Sequence, residues 1–264
     1  MYSHNLDPVL IEFGYLTIRW YSLAYVVGII LGWWLGKKII NRVSKGINLE
    51  FNINEFDEFI TFIIISIIIG GRLGYVVFYN LEFYISSPLD ILKVWQGGMS
   101  FHGALIGIVL GSFLFSKKRG ISTFFLLDIV ACVSPIGIFL GRIANFINGE
   151  LIGKVTTVSW GVIFPLVDTL PRHPSQLYQA MLEGVVLFFI LNTSILKPNY
   201  KVGTCSYLFL ICYGVLRIIS ELFREPDAQI GYLFNLFSMG TVLSFLMIIV
   251  GLYIMYNLKK NESQ

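Results

Sequence analysis

A dense group of polar side chains lies between positions 141 and 153 of an otherwise apolar chain. Arg142, Asn145 and Asn148 follow one another at intervals of three residues, a spacing that keeps side chains near one face of a helix. Guanidinium and amide N–H groups on a shared face suit the oxygens of a phosphate group. Glu150 follows directly and could either fix an arginine or accept a proton. The pattern predicts an anion site with an acid–base group beside it.

The sequence predicts that membrane-spanning helices hold these polar residues in place. Of the 264 residues, 56% are hydrophobic and only 13% are charged, whereas soluble domains carry roughly a quarter charged residues. Seven apolar segments approach the length of about 20 residues that a spanning helix needs. They cover residues 18–36, 59–78, 99–115, 124–147, 177–195, 203–219 and 236–256. No insert large enough for a soluble domain separates them, so the sequence predicts an all-α polytopic membrane protein with one domain over residues 1–264.

The orientation follows from the connections, because Lys and Arg favour the cytoplasmic side. The connections after segments one, three and five, together with the tail, hold eleven such residues, whereas the alternate connections hold four. We therefore expect seven helices with the N-terminus in the periplasm and the C-terminus in the cytoplasm. The longest connection, residues 148–174, is then outside. Its alternating Val and Ile residues predict a small strand pair in a periplasmic head region.

This topology brings the unusual polar residues to the outer half of the membrane. Tyr21 and His102 lie near the outer starts of segments one and three, and the ends of segments two, four and six hold arginines. These arginines are Arg72, Arg142 and Arg217, and Arg224 follows segment six. An arginine at a helix centre costs about 2.5–3.5 kcal/mol on insertion scales, so a bound anion is one explanation. Snorkelling to head groups or internal pairs, such as Arg217 with Glu221, is the other.

Several protein classes are disfavoured by composition. A net charge of +3 is too small to indicate a nucleic-acid partner. Cys132, Cys205 and Cys212 all lie inside apolar runs without metal-ligand spacing, so we expect buried, inert thiols and no metal. Residues 1–14 lack the basic start of a secretory signal. We expect a structural role for His173, with Ser175 and Gln176 as capping candidates for the following helix.

The polar stretch 141–153, GRIANFINGELIG, resembles the signature of the bacterial prolipoprotein diacylglyceryl transferases. Further segments resemble motifs of the same family, and together they cover nearly the whole chain. They are 19–25 (RWYSLAY), 70–75 (GGRLGY), 78–80 (FYN), 95–103 (WQGGMSFHG), 172–178 (RHPSQLY) and 223–229 (FREPDAQ). Ala104 departs from the family, which usually has a second glycine after the histidine, and the outer connection after Gly153 is short beside some relatives.

The resemblance implies a reaction and its participants. The family transfers the diacylglyceryl group of phosphatidylglycerol to the lipobox cysteine of a prolipoprotein signal peptide, forming a thioether and releasing glycerol phosphate. It works in the bacterial inner membrane, and we expect no cofactor. The family's essential positions match a set of residues in this chain. They are Tyr21, His102, Arg142, Asn145, Glu150, Gly153 and Arg224.

The chemistry of the residues is compatible with this reaction. A thiol with a pKa of about 8.5 is mostly protonated at neutral pH, so a base is needed. His102 is a candidate base, and Tyr21 and Glu150 remain alternatives. Arg142 and Arg224 suit the charge that develops on the leaving phosphate. We also assign Asn145, Gly153 and Arg72 to lipid binding.

Three other functions fit the sequence less well than the transferase. A transporter or channel would line both halves of the bilayer with polar residues, whereas the inner halves here are almost purely apolar. A non-catalytic lipid assembly protein would not need the group of donors near Arg142. A metalloprotease is disfavoured, because the sequence has no HExxH motif and no paired intramembrane aspartates. Transfer of a diacylglyceryl group is the interpretation that uses all of the motifs.

The predicted topology can be tested by labelling with a membrane-impermeant thiol reagent. Thr157→Cys should be labelled from outside intact cells, because residue 157 lies in the outer connection. Ser263→Cys should be labelled only after the membrane is opened. The reverse pattern would contradict the orientation.

Overall fold

A computed structural model describes residues 2–14, 16–47, 51, 53–226, 232–233 and 236–262. The described part is mostly helical, and its strands are short. The helices are α1 (Trp20–Ile47), α2 (Ile53–Tyr79), α3 (Leu81–Ser86), α4 (Phe101–Arg119), α5 (Thr123–Ile147), α6 (Ser175–Gln179), α7 (Leu187–Ile195), α8 (Thr204–Glu221) and α9 (Met239–Glu262). The strands are β1 (Tyr2–Ser3), β2 (Val9–Phe13), β3 (Leu16–Arg19), β4 (Val162–Ile163), β5 (Pro171–Arg172), β6 (Tyr232–Leu233) and β7 (Phe237–Ser238).

Six helices in the described part of the chain are long and apolar enough to cross a membrane. They are Trp20–Val43, Ile53–Tyr79, Thr123–Ile147, Ser175–Ile195, Thr204–Glu221 and Met239–Asn261. The fourth of them is continuous from α6 to α7 through a π-helical stretch, Ala180–Val186. Six of the seven apolar segments of the sequence therefore form helices of spanning length. The remaining segment forms α4, which is 19 residues long and ends in three basic residues.

The chain divides into two compact units. The first unit comprises Met1–Ile39 and Asp128–Gln264, and the second comprises Ile40–Leu127. The single domain expected from the sequence stays a prediction.

Within the second unit, α2 and α4 pack closely along a row of glycines. A Cβ atom added at Gly103 would lie 2.2 Å from the carbonyl oxygen of Gly70, and one added at Gly107 would lie 2.2 Å from that of Ser66. Only glycine permits such an approach of two helix backbones, as is common between helices in membranes.

Within the first unit, the connection after α5 contains the strand pair that its alternating residues predict. β4 pairs antiparallel with β5, and β1 adds in parallel to β4. The N-terminal segment is thereby held beside this connection. His4 Nε2 also lies 2.7 Å from the carbonyl oxygen of Phe146 at the end of α5. A second hairpin, β2 with β3, leads into α1 and was not expected from the sequence.

A buried carboxylate joins α5 to the start of α8. Asp128 is fully buried and accepts hydrogen bonds from the backbone N–H groups of Gly203 and Ser206, both at 2.6 Å. The Ser206 hydroxyl donates at 2.6 Å and the Tyr200 hydroxyl at 2.5 Å. The carboxylate thus caps a helix N-terminus, where unpaired N–H groups and the helix dipole favour an anion. Burial, and secondarily the nearby Asp128, raises the pKa of the Tyr200 phenol, so Tyr200 stays protonated as a donor.

We predict that Asp128→Ala lowers the thermal unfolding midpoint of the detergent-purified protein by at least about 6 °C. The change leaves buried donors without an acceptor, which costs roughly 3–5 kcal/mol, and a protein of this size loses about 2–4 °C per kcal/mol. Glu82→Ala, which removes an exposed carboxylate, is the matched control and should be neutral. Equal midpoints for the two variants would show that Asp128 does not hold α8.

Candidate active site

Five charged side chains form a continuous row inside the first unit, which we call the charge chain: Arg142, Glu183, Arg217, Glu221 and Arg224. Arg142 donates to Glu183 Oε2 from Nη2 at 2.9 Å and from Nε at 3.3 Å. Arg217 donates to Glu183 Oε1 at 3.2 Å and also contacts Glu221. Arg224 Nη1 donates to Glu221 Oε1 at 3.2 Å. Positive and negative groups therefore alternate along the row.

Three helical elements and the residues after α8 position the charge chain. Arg142 comes from α5, Glu183 from the π-helical stretch and Arg217 and Glu221 from α8, where their spacing of four places them on one face. The Ser220 hydroxyl donates to Glu183 Oε1 at 2.8 Å. Since Glu183 is completely buried, its charge is tolerable only with such partners. The packing of α5 against the π-helical stretch and α8 is thus tied to these contacts.

The charge chain contains three guanidinium groups and two carboxylates. Arg142 has the most exposed side chain of the five, at 16%, compared with 9% or less for the others. Arg142 is therefore the guanidinium group of the charge chain that is most accessible to an anion, and a guanidinium group suits the oxygens of a phosphodiester.

Two asparagines orient the acidic side chain at the end of α5. Asn145 Nδ2 donates to Glu150 Oε2 and Asn148 Nδ2 donates to Glu150 Oε1, both at 3.1 Å. Arg142 does not pair with Glu150 in the structure, because its guanidinium group pairs with Glu183. Glu150 is exposed. Its carboxylate is thus held by neutral donors and remains accessible.

The turn that carries Glu150 is held in an unusual backbone conformation. Leu151 has a φ of 54°, the one positive φ of a non-glycine residue in the described part of the chain. Non-glycine residues are strained there and need support from their surroundings. The Ser175 hydroxyl donates to the Leu151 carbonyl at 2.9 Å, and Gln176 Nε2 donates to the Glu150 carbonyl at 2.5 Å. Ser175 and Gln176 therefore fix this turn and do not cap α6, whose first residue follows Pro174 without a side-chain cap.

Gly153 allows three backbone segments to meet beside Arg224. A Cβ atom at this position would lie 2.2 Å from the carbonyl oxygen of His173 and 2.8 Å from that of Phe223. Gly153 and Arg224 form an isolated antiparallel bridge, and Lys154 N donates to the Phe223 carbonyl at 2.9 Å. The geometry gives Gly153 a positioning role, since only glycine lets Arg224 reach this place.

The connection between α5 and α6 has its own ion pair beside these segments. Arg172 Nη2 contacts Asp168 Oδ2 at 2.5 Å, and its Nη1 donates to the Gly153 carbonyl at 3.0 Å. The Arg172 guanidinium lowers the pKa of the Asp168 carboxyl group. Burial lowers the pKa of His173, whose ring packs against Tyr178 and Phe223. A neutral, packed imidazole fits the structural role expected for His173.

Arg72 belongs to the second unit, where its guanidinium group holds the loop before α4. All five of its N–H groups donate to backbone carbonyls. The acceptors are Asp90, Ile91, Lys93, Gly97 and Gly98, at N···O distances of 2.5–3.2 Å. The Arg72 side chain therefore binds this loop, and a lipid could bind the guanidinium group only by replacing some of these five hydrogen bonds.

The remaining expected site residues lie at helix starts. Tyr21 is in the first turn of α1, and its ring packs edge-on against Tyr25 at a centroid distance of 5.1 Å. His102 is the second residue of α4, and its side chain lies outside the described residues. The structure therefore brings together Arg142 and Arg224 through the charge chain, and Asn145 with Glu150.

Glu183 is the member of the charge chain that was not predicted from the sequence. It is the one acidic residue of the apolar segment 177–195, and an ionisable residue inside a span is a functional candidate by default. That signal was available in the sequence. Its pairing with two arginines from other helices was not, because α5 and α8 are separated by many residues.

Six helices of spanning length in the described part of the chain, with a row of buried charged residues among them, are typical of a multi-pass membrane protein. The model of the family described as prolipoprotein diacylglyceryl transferase matches residues 8–257.

Three of the similar proteins illustrate the relationship, and each bears the name phosphatidylglycerol–prolipoprotein diacylglyceryl transferase. The Rickettsia felis protein is 49% identical over 252 residues, 95% of this chain and 96% of its own. The Rickettsia bellii (strain OSU 85-389) protein is 49% identical over 95% of this chain and 94% of its own. The Rickettsia typhi protein is 48% identical over 256 residues, 96% of this chain and 97% of its own. The chain belongs to the prolipoprotein diacylglyceryl transferase family.

We predict that Arg72→Ala exposes the loop before α4 to trypsin. The change removes five hydrogen bonds, so cleavage of the purified protein after Lys93 should become at least about tenfold faster, as expected for a loss of 1.4 kcal/mol or more. Leu73→Ala, at an exposed neighbouring position, is the control. Cleavage after Lys154 serves as the internal reference. An unchanged rate at Lys93 would exclude the loop-holding role.

Proposed function

We propose that this chain transfers the diacylglyceryl group of phosphatidylglycerol to the thiol of a prolipoprotein lipobox cysteine, the first step of bacterial lipoprotein maturation. Family membership and the names of the relatives support the reaction. The observation in the structure that carries the proposal is the charge chain, in which Arg142 is the most exposed of three guanidinium groups. The phosphate of phosphatidylglycerol is the anion that Arg142 would bind.

The proposed reaction exchanges one bond for another. The cysteine sulfur forms a bond to the glyceryl carbon that bears the phosphate, and the carbon–oxygen bond to that phosphate breaks. Glycerol phosphate leaves with the electron pair, and the thiol proton passes to a base. Because the donor carries its own leaving group, the balance needs no metal and no soluble cofactor.

Arg142 and Arg224 are proposed to bind the phosphate and to stabilise the charge that develops on it. Glu183 and Glu221 hold these guanidinium groups in place, so the donors are oriented before the lipid arrives. Preorganised donors in a water-poor site contribute strongly to catalysis. Asn145 is proposed to act on the lipid beside Arg142, and Gly153 to act by placing Arg224.

Three residues are candidates for the base that accepts the thiol proton. Glu150 is accessible and fixed by two amide groups, whereas Tyr21 and His102 start helices α1 and α4. For Arg72 we propose that lipid binding acts through the loop that it holds, because its five N–H groups already have acceptors.

We further propose seven spans, with α4 as the seventh, in a single transferase domain of the bacterial inner membrane. The N-terminus and the head region, residues 148–174, would face the periplasm, and the C-terminus the cytoplasm. Lys37 and Lys38 lie over the rings of Trp33 and Trp34 at 4.2 and 3.6 Å. Lysines with tryptophans are typical of a membrane boundary, which supports a cytoplasmic end of α1.

The direct experiment is a transfer assay with the purified protein, labelled phosphatidylglycerol and a lipobox peptide. We expect a mass gain of one diacylglyceryl group on the peptide cysteine. Arg142→Lys keeps the charge but loses the planar pair of donors, so the rate should fall roughly ten- to a hundredfold. Arg42→Lys, an exposed position on α1, is the control and should leave the rate unchanged.

Two results would contradict the proposal. The absence of transfer by the well-folded wild type would exclude the reaction. Near-wild-type transfer by Arg142→Lys would exclude phosphate binding through the guanidinium geometry and would leave Arg142 as a partner of Glu183 only.

A further inference from the structure

Gln179 is a fully buried amide in the first unit. Its exposed fraction is 0%, and among the residues that the structure describes neither its Oε1 nor its Nε2 atom has a hydrogen-bond partner. Within the part of the chain that the structure describes, it is the one buried side chain with both polar atoms unsatisfied. Buried amides in proteins are nearly always paired, so an unsatisfied one points to a ligand.

The position of Gln179 places it next to the charge chain. It lies three residues after Gln176 and four before Glu183, about one helical turn from each. All three side chains are fully buried and share a face of the same helix. Gln176 contacts the Glu150 carbonyl, and Glu183 contacts Arg142. Gln179 therefore lies between the two parts of the proposed site.

The helix is also irregular at this point. Gln179 is the last residue of α6, and the π-helical stretch begins at Ala180. Such widened turns occur frequently at functional sites, where they change the direction of a side chain. Here the irregularity falls directly between Gln179 and Glu183.

The unsatisfied atoms define the chemistry of the missing group. Gln179 has both an unpaired donor, Nε2, and an unpaired acceptor, Oε1, within the described part of the chain. A phosphodiester has only acceptors and cannot satisfy the oxygen, whereas a hydroxyl group both donates and accepts. The terminal glycerol of phosphatidylglycerol carries two hydroxyl groups next to the phosphate.

We propose that Gln179 binds a hydroxyl group of the terminal glycerol and selects phosphatidylglycerol over anionic phospholipids without that diol. This inference rests on the proposed function, with the phosphate at Arg142. The charge chain then binds the anion that such lipids share, and the amide of Gln179 recognises the group that distinguishes them. A site built to hydrogen-bond a hydroxyl group rejects the analogue that lacks it, because its own polar groups stay unpaired.

The test compares two donor lipids in the transfer assay. Phosphatidylethanol has the same phosphodiester charge as phosphatidylglycerol but no hydroxyl group on its head group. The wild type should transfer from phosphatidylglycerol at least about tenfold faster, the effect of one well-made hydrogen bond. Gln179→Met, of similar size, should lower the phosphatidylglycerol rate to that of phosphatidylethanol and leave the phosphatidylethanol rate unchanged.

Controls separate recognition from structure. Met181→Leu, at an exposed position on the same helix, should keep the tenfold preference. Gln179→Asn keeps the amide group and should retain part of the preference, which gives a second variant if Gln179→Met does not fold. Transfer by the wild type from phosphatidylglycerol verifies the proposed function independently of Gln179.

Three outcomes would overturn the inference. One is a Gln179→Met protein that loses activity equally with both donors, as a purely structural residue would. The other is a wild type that does not distinguish the donors. A change confined to the KM of the peptide would also overturn it, because it would assign the amide to the signal peptide.

Discussion

The structure of the first unit depends on how a carboxylate is accommodated inside a spanning helix. Glu183 is fully buried, and a carboxylate taken out of water without partners costs several kcal/mol even after relaxation. Arg142, Arg217 and Ser220 supply those partners from α5 and α8. The pairs satisfy the arginines as well, which would otherwise be costly in a bilayer. Helices α5 and α8 must therefore meet the π-helical stretch in one register, and that register sets the direction in which Arg142 points.

Other contacts extend this constraint to the surrounding chain. Asp128 ties the start of α8 to α5 at the other end of these helices. Gln176 and Ser175 tie the turn after α5 to the helix that carries Glu183. Gly153 lets the connection between α5 and α6 lie against the residue before Arg224. Contacts within the protein therefore orient two arginines and Glu150 without a substrate, which is the preorganisation that the proposed mechanism uses.

The sequence predicts where most of the long helices lie, but it does not predict which side chains pair between them. Segment 124–147 differs from the helix Thr123–Ile147 by one residue, because a long apolar run bounded by polar residues leaves little freedom. The motif around Arg142 predicts an anion site, because its N–H donors share one helix face. The same residues carry the resemblance to the family. The partner of Arg142 was not predictable, since Glu150 is near in sequence and Glu183 is near only after folding. Arg72 shows the same limit, because its five acceptors lie 18 to 26 residues away in an irregular loop. Gln179 was not predicted as a site residue, because the sequence does not show whether an amide in a spanning helix has hydrogen-bond partners.

We propose that the guanidinium group of Arg142 binds the phosphate of the lipid, and a lipid-binding measurement tests this contact. Native mass spectrometry of the purified protein can compare the retention of phosphatidylglycerol with that of diacylglycerol, which has the same tails and no phosphate. Arg142→Gln removes the guanidinium charge. This variant should lose phosphatidylglycerol at least about tenfold more readily than the wild type, the effect of one charge-assisted hydrogen bond, while diacylglycerol retention stays the same. Equal retention of phosphatidylglycerol by the two proteins, or a parallel loss of both lipids, would contradict it.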